Sequence, residues 1–257
     1  MAEPRWGFAG ALVGLAIGVV VFAPAAWLAS AIEHASHGQV QLIQARGTVW
    51  RGDARLLLSG GSGSRAAGVL PGRLHWSLRP GLPNWRIRVD ADCCTTQPLV
   101  AELAPGLGGW RLDVSAADSR WPASMLTGLG APWNTVQPRG QLQLRTQGLS
   151  LEWAAGRVQV QGTATLDAMG LSSGLSTLRP IGSYRLQLVG QGLTGPPQLV
   201  LETLEGSLKL SGRGQWNGAR WNFRGQASAA PDQELVLGNL LNIVGRRQGA
   251  RSDITLD

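Results

Sequence analysis

From Gln39 onward apolar residues recur at every second position, not at helical spacing. Leu74, Trp76 and Leu78 alternate with Arg73, His75, Ser77 and Arg79, and Trp85, Ile87, Val89 and Ala91 alternate with Arg86, Arg88, Asp90 and Asp92. The same period returns at Trp110-Leu112-Val114, Leu142-Leu144, Val158-Val160, Leu186-Leu188 and Leu199-Leu201. A period of two places apolar side chains on one face of a strand and polar ones on the other. Strands of a parallel sheet, buried on both faces, would read as unbroken apolar runs. The pattern therefore predicts a mainly β fold: a curved antiparallel sheet over residues 33–257, with one dry face, one wet face and a few short helices.

Helical spacing is confined to short segments. Ser119 followed by Pro122 can open a helix through Leu126, since Pro suits a first turn. Pro231-Asp232 precedes ELVLGNLLNIV, in which Leu237, Leu240, Leu241 and Val244 share a stripe. Gly245 would end that helix, with Arg246 and Arg247 at its negative pole. GGSGSRAAG, residues 60–68, reads as a flexible loop.

The stretch GSLKLSGRGQWNGARWNFRGQAS, residues 206–228, sets glycines against aromatics around Asn217-Gly218, a strong hairpin signal. A two-residue turn there would pair Gly214 with Trp221, Gly212 with Phe223 and Leu210 with Gly225. Aromatics laid over cross-strand glycines support strands that must bend, so a concave aromatic lining is expected. LPGRLHWSLRPGLPNWRIRV, residues 70–89, repeats the theme and suggests duplication of such hairpins.

Trp6 to Ile32 forms an uncharged apolar run, WGFAGALVGLAIGVVVFAPAAWLASAI. About 20 such residues span a bilayer core. Trp6 and Trp27 near its ends suit the interface, and Arg5 places the short side, residues 1–5, in the cytoplasm. The run predicts a single transmembrane anchor over residues 6–32 and an exported, periplasmic sheet domain. Ala29-Ser30-Ala31 also fits a signal-peptide cleavage site, but the run is longer than the ~7–15 residues of an h-region. Gly10, Gly14 and Gly18 form a flat strip on which another membrane helix could pack.

Composition narrows the chemistry. The net charge is +7, almost wholly from Arg, since Lys209 is the only lysine. Arg spread along wet strand faces serves solvation, and an exported domain does not meet nucleic acid. Gly170-Leu171-Ser172-Ser173-Gly174 matches a nucleophile elbow, which needs an α/β sheet and a later His. The only histidines, His34, His37 and His75, all precede it. His34 and His37 lie three apart with no third ligand, too few for a metal site. Cys93 and Cys94 are adjacent, so in a regular strand they point to opposite faces and cannot bridge. Packed Cys93 and exposed Cys94 are expected as thiols, with a vicinal or intermolecular disulfide as the alternative in an oxidising compartment. No enzymatic residue, cofactor or metal is called for. Trp76, Trp85, Trp216, Trp221 and Phe223 are the candidates for an apolar face that meets a partner.

GTVWRG (47–52), LPGRLHWSLRP (70–80), APWNTVQPRGQLQL (131–144), LSTLRPIGSYRLQL (175–188), TLEGSLKLSGRG (203–214) and NLLNIVGRRQG (239–249) resemble type II secretion system protein N. The likeness runs in order along almost the whole chain. It implies a non-enzymatic component of the general secretion machinery, anchored in the inner membrane, that helps export folded proteins across the outer membrane through protein–protein contacts. Its partners would be other secretion components, of the inner-membrane platform or associated with the secretin. A second reading, from the curved one-sided sheet, is a lipid-handling module like the AsmA-like envelope proteins, its dry concave face holding acyl chains.

Overall fold

The alternating stretches form strands, and the strands form one sheet, in a computed structural model that describes residues 5–61, 63–64, 66–106, 109–154, 157–218 and 220–256. The first half supplies β1 (Val40–Gly47), β2 (Arg51–Ser59), β3 (Ala67–Val69), β4 (Leu74–Arg79), β5 (Trp85–Ala91), β6 (Leu99–Gly106), β7 (Gly109–Val114) and β8 (Ala117–Pro122). The second half supplies β9 (Arg139–Ala154), β10 (Arg157–Ser172), β11 (Gly182–Gln191), β12 (Gln198–Gly206), β13 (Leu208–Trp216), β14 (Trp221–Ala229), β15 (Arg246–Gln248) and β16 (Arg251–Leu256). Every pairing is antiparallel, and the order is β1-β2-β4-β5-β6-β7-β9-β10-β11-β12-β13-β14-β16-β15. The path does not close, so β1 and β15 are its two margins. β3 and β4 lie end to end along β2, and β7 and β8 lie end to end along β9.

Because neighbours in sequence are neighbours in the sheet, the connections alternate between two ends of the strands. One end holds the tight turns β1–β2, β4–β5, β6–β7, β9–β10 and β13–β14. That end also holds the β11–β12 connection, with a single 3-10 turn (Gly192–Thr194). The other holds the longest connections, with a 3-10 segment (Ala123–Leu129), α3 (Trp133–Val136) and α4 (Glu234–Val244), beside the short β12–β13 and β15–β16 turns. The 3-10 segment starts just after Pro122, while Ser119 stays in β8. α4 forms where the apolar stripe predicted it: Leu237, Leu240 and Leu241 are buried against Ile181, Leu208 and Ala227. Arg246 and Arg247 enter β15, and the Arg247 side chain donates to Asn242 Oδ1 at 3.4 Å and Gly249 O at 2.8 Å.

The apolar run at the start does not fold as one helix. It forms α1 (Arg5–Val21) and α2 (Ala25–Ala35), broken at Phe22-Ala23-Pro24. Pro24 has no N–H to donate and disfavours helical geometry in the residue before it; its own backbone is extended, with φ −69° and ψ 147°. The two pieces have different surroundings. In α2, Ala25 is buried with Ala54 and Trp76, and Leu28 packs beside them with Leu42 and Ala45. In α1, residues 9–17 are exposed on every side. Among the described residues, no helix is both long and apolar enough to cross a membrane.

The junction is tied to the sheet. Val49 N–H donates to Ala23 O at 2.8 Å, Trp50 Nε1 to Val20 O at 2.8 Å, and Trp76 Nε1 to Val49 O at 3.0 Å. Pro24 also forms a bridge with Thr48.

The β13–β14 hairpin keeps the predicted faces but shifts the partners by two. Trp216 pairs with Trp221, Gly214 with Phe223, Gly212 with Gly225 and Leu210 with Ala227. The cause is the turn. Asn217 N–H donates to Arg220 O, and Asn217 Oδ1 accepts from Arg220 N–H, so Asn217 belongs to the flank and the turn is centred beyond it. Gly218, at φ +97°, supplies the left-handed conformation. Ala219, the partner expected for Trp216, lies outside the described residues. Phe223 nevertheless covers the glycines: a Cβ on Gly212 would collide with its ring, and one on Gly214 or Gly225 would come within 2.9 or 3.0 Å of it.

Cys93 and Cys94 form a vicinal disulfide, with Cα atoms 3.7 Å apart, where two thiols were expected. The regular-strand premise fails because β5 ends at Ala91. Ala91 N–H donates to Thr95 Oγ1, whose hydroxyl donates back to Ala91 O, and Cys94 N–H also donates to Ala91 O. This turn also reverses the expected sides: Cys94 is buried beside Leu70 and Ala91, and Cys93 is exposed.

Candidate interaction surfaces

Cross-strand pairing turns the alternation into two continuous faces. On the dry face a row runs Trp85, Leu103, Leu112, Leu151, Val160 across β5, β6, β7, β9 and β10. Another runs Leu144, Leu166, Leu186, Leu201 and on to Gly212. Most of these leucines are half-buried. Buried clusters form at the flanks, where α2 covers Trp76 and Ala54, α4 covers Leu208 and Ala227, and the 3-10 segment lies against Leu70, while Leu142 and Val160 are buried between them.

The wet face carries a ladder of charge. Asp167 is buried and accepts from Arg185 Nε at 2.7 Å and Nη2 at 3.0 Å, while Arg145 bonds its other side. Asp118 accepts twice from Gln143 Nε2, and Arg185 also lies 3.9 Å from Glu202. The guanidinium of Arg185, and then that of Arg145, hold the Asp167 carboxyl below the usual carboxylate range against the cost of burial. Nearer the disulfide, the Arg73 N–H and the His75 ring hold Asp92 low. Tyr184 is pushed well above the ordinary phenol value by burial, its hydroxyl donating to Leu208 O at 3.1 Å.

The shape of the sheet departs from expectation. Two depressions of ≈ 1040 and ≈ 760 Å³ lie over β12, β13 and β14. Their lining includes Arg213, Gln215, Asn222 and Arg224 in one, and Glu202, Ser211, Arg224 and Gln226 in the other. Leu199, Val200 and Trp216 share the walls of the first and Val200, Leu201 and Ile254 those of the second. The lining is therefore mixed, with Trp216 its one aromatic among the described residues, rather than the continuous aromatic face expected. Bulges account for some of the bending. Register shifts interrupt β1 near Gln44, at φ +53°, and β10 after Ala168.

The candidate residues from the sequence separate by depth. Trp76 and Phe223 are 5% exposed and pack within the protein. Trp85 is 37% exposed and stacks on Trp50, ring centroids 6.0 Å apart. Trp216 and Trp221 meet edge to face at 5.6 Å, both half-buried. Gly10, Gly14 and Gly18 have no atom within 4 Å of where a Cβ would stand. The Trp6 side chain lies outside the described residues. Trp110 and Trp153, outside that set, pair across β7 and β9 at 52% and 39% exposure. Their position beside a turn, after it for Trp110 and before it for Trp153, was the available signal.

The remaining motifs resolve as local structure. Ser172 ends β10 opposite Arg139, and the Ser173 hydroxyl donates to Val136 O. His34 Nδ1 bonds Ser30 O at 2.7 Å, and His37 takes φ +51° in the turn after α2. Among the described residues, no three His, Cys, Asp or Glu side chains gather in a metal-binding group.

A family model described as type II secretion system (T2SS), protein N matches residues 38–253, which reach from just before β1 into β16. No curated protein and no solved structure matches the chain.

Proposed function

The chain belongs to the type II secretion system protein N family, and we propose that it acts in that machinery as a non-enzymatic docking component anchored in the inner membrane. The observation that carries this reading is the junction between α1 and the matched region. A helix apolar on every side enters a sheet that the family match covers from edge to edge. α1 holds 17 residues, about 26 Å at helical rise, close to the ~30 Å of a bilayer core. With Arg5 at the cytoplasmic surface and Phe22 extending the apolar run, α1 is the single-pass anchor, its N-terminus is cytoplasmic and the sheet is periplasmic. α2, although part of the same apolar run, packs on the sheet.

The sheet would meet other secretion components through its open margins, where strand addition supplies backbone hydrogen bonds, and through its half-buried dry face. Gly10, Gly14 and Gly18 would let a second membrane helix approach α1 closely. The lipid-handling reading gains little from the hollows, whose Leu, Val and Trp side chains are interleaved with Arg, Gln, Asn and Glu where acyl chains would need continuous apolar walls.

The test is export itself, joined to fractionation. Removal of the chain should leave folded secretion substrates in the periplasm, and the wild-type chain should restore export. Leu15→Arg, in the middle of α1, should shift the protein out of the carbonate-washed membrane fraction and abolish restoration. Retention of the variant in washed membranes would sink the anchor, and normal export without the chain would sink the role in secretion.

A further inference from the structure

The tight turns at one end of the strands share a composition: a tryptophan in or beside each. Trp50 lies in the β1–β2 turn, Trp85 opens β5 after the β4–β5 turn, and Trp110 and Trp153 flank the β6–β7 and β9–β10 turns. Trp216 and Trp221 flank the β13–β14 turn. Leu82, at the β4–β5 tip, is fully exposed. From β2 to β9 the tips follow one sheet edge across five inter-strand steps, a line of roughly 24 Å at the usual strand spacing. An exposed apolar line of this kind marks a surface that something covers.

Two further observations identify the cover. α1 leaves the sheet at this same end, where Trp50 Nε1 holds Val20 O and Val49 N–H holds Ala23 O. The tips are also basic. Arg51, Arg79, Arg86, Arg111 and Arg220 are exposed there, and two acids beside them, Glu102 and Glu152, each accept from one guanidinium, of Arg86 and Arg111 respectively. Tryptophan rings with basic neighbours are the chemistry of a bilayer interface with anionic headgroups.

We propose that this rim rests on the membrane surface around α1, with Trp85, Trp110 and Trp153 at headgroup level and the arginines on anionic lipid phosphates. The proposal rests on the reading of α1 as an anchor. It makes the sheet stand on its turn end, so the longer connections and α4 face away from the membrane.

The experiment uses the full chain in nanodiscs made of phospholipid brominated near the headgroup, with and without phosphatidylglycerol, and reads quenching of tryptophan emission. Wild-type protein should be quenched through Trp6 and Trp27 and also through the rim tryptophans. Combining Trp85→Phe, Trp110→Phe and Trp153→Phe removes three of the six tryptophans placed near the lipid around α1 (Trp6, Trp27, Trp50, Trp85, Trp110 and Trp153), so quenching should fall by about half, with the circular dichroism spectrum unchanged. The wild type alone supplies a second reading: quenching should rise when phosphatidylglycerol is included. If the triple variant is quenched as strongly as wild type, the rim does not touch lipid while the anchor stands. Protein recovered free of the discs and unquenched would overturn the anchor instead. Equal wild-type quenching with and without phosphatidylglycerol would remove the arginines from the contact.

Discussion

The two ends of the strands are built from the same alternation but finished differently. At the end with longer connections much apolar surface is sealed: Leu237, Leu240 and Leu241 of α4 close over Leu208 and Ala227, and Leu70, Ala91 and Cys94 pack with Leu56, Trp121 and Met125, leaving Trp133 and Leu235 exposed. At the turn end a large aromatic stands in or beside each tight turn, before it at Trp153 and Trp216 and after it at Trp85 and Trp110, and several stay open to solvent. Connection length explains the contrast. Only a connection of many residues can fold a helix back over the sheet, whereas a tight turn leaves the final side chain without a neighbour above it. Identical periodicity therefore produces core at one end and an available surface at the other.

That contrast can be broken by measurement. The largest effect is expected at Phe223, whose ring fills the space over Gly212, Gly214 and Gly225. Phe223→Ala should cost about 3–5 kcal/mol in chemical denaturation, and a loss below about 1 kcal/mol would show that the ring is not packed. Leu241→Ala, at the sealed end, should cost about 3 kcal/mol by the same measurement; a near-neutral outcome would mean that α4 does not close the core.

Asp167→Asn should follow, at about 2 kcal/mol, because Arg145 and Arg185 would then lose their shared carboxylate. Acid should produce the same loss in the wild type. The Asp167 carboxyl is held low in the folded chain, so its contribution is complete above the unfolded value, near 3.9, and fades as pH falls through the folded one. Wild type and Asp167→Asn should therefore converge in stability as pH falls below the unfolded value of about 3.9 and on through the folded one, and curves that stay parallel through the whole acid limb would refute the assignment. The smallest effect belongs to the turn end. Trp110→Ala should change stability by less than about 1 kcal/mol, and a larger loss would make that end core after all.

Much of this was legible in the alternation itself. Every quoted period-two stretch is a strand with its apolar residues on one face, and the α4 stripe folds where its spacing says. Three features escaped for identifiable reasons. Pro24 lay inside an apolar run whose hydropathy masked it, although a proline at that position interrupts helix geometry and its followers, Ala25 and Leu28, carry the spacing of a packed face. The hairpin partners slid because Asn217 spent its side chain on Arg220 N–H, an option that the Asn-Gly pair does not reveal. The Cys93–Cys94 bridge depended on where β5 ends, and the hydroxyl of Thr95, not the cysteines, sets that point. Long-range shape was least readable, since the hollows arise from bulges and twist accumulated over many strands.

The stitched junction at Ala23-Pro24 has a mechanical consequence. With Val49, Trp50 and Thr48 bonded across the break, there is no slack between α1 and the first strand. A domain on a loose linker sweeps out a volume and finds its partners by searching it. Under the proposed anchoring the sheet would have no such radius: α1 would set its height and heading, any component it engaged would have to arrive at that one position, and a push on the sheet would be felt directly by α1.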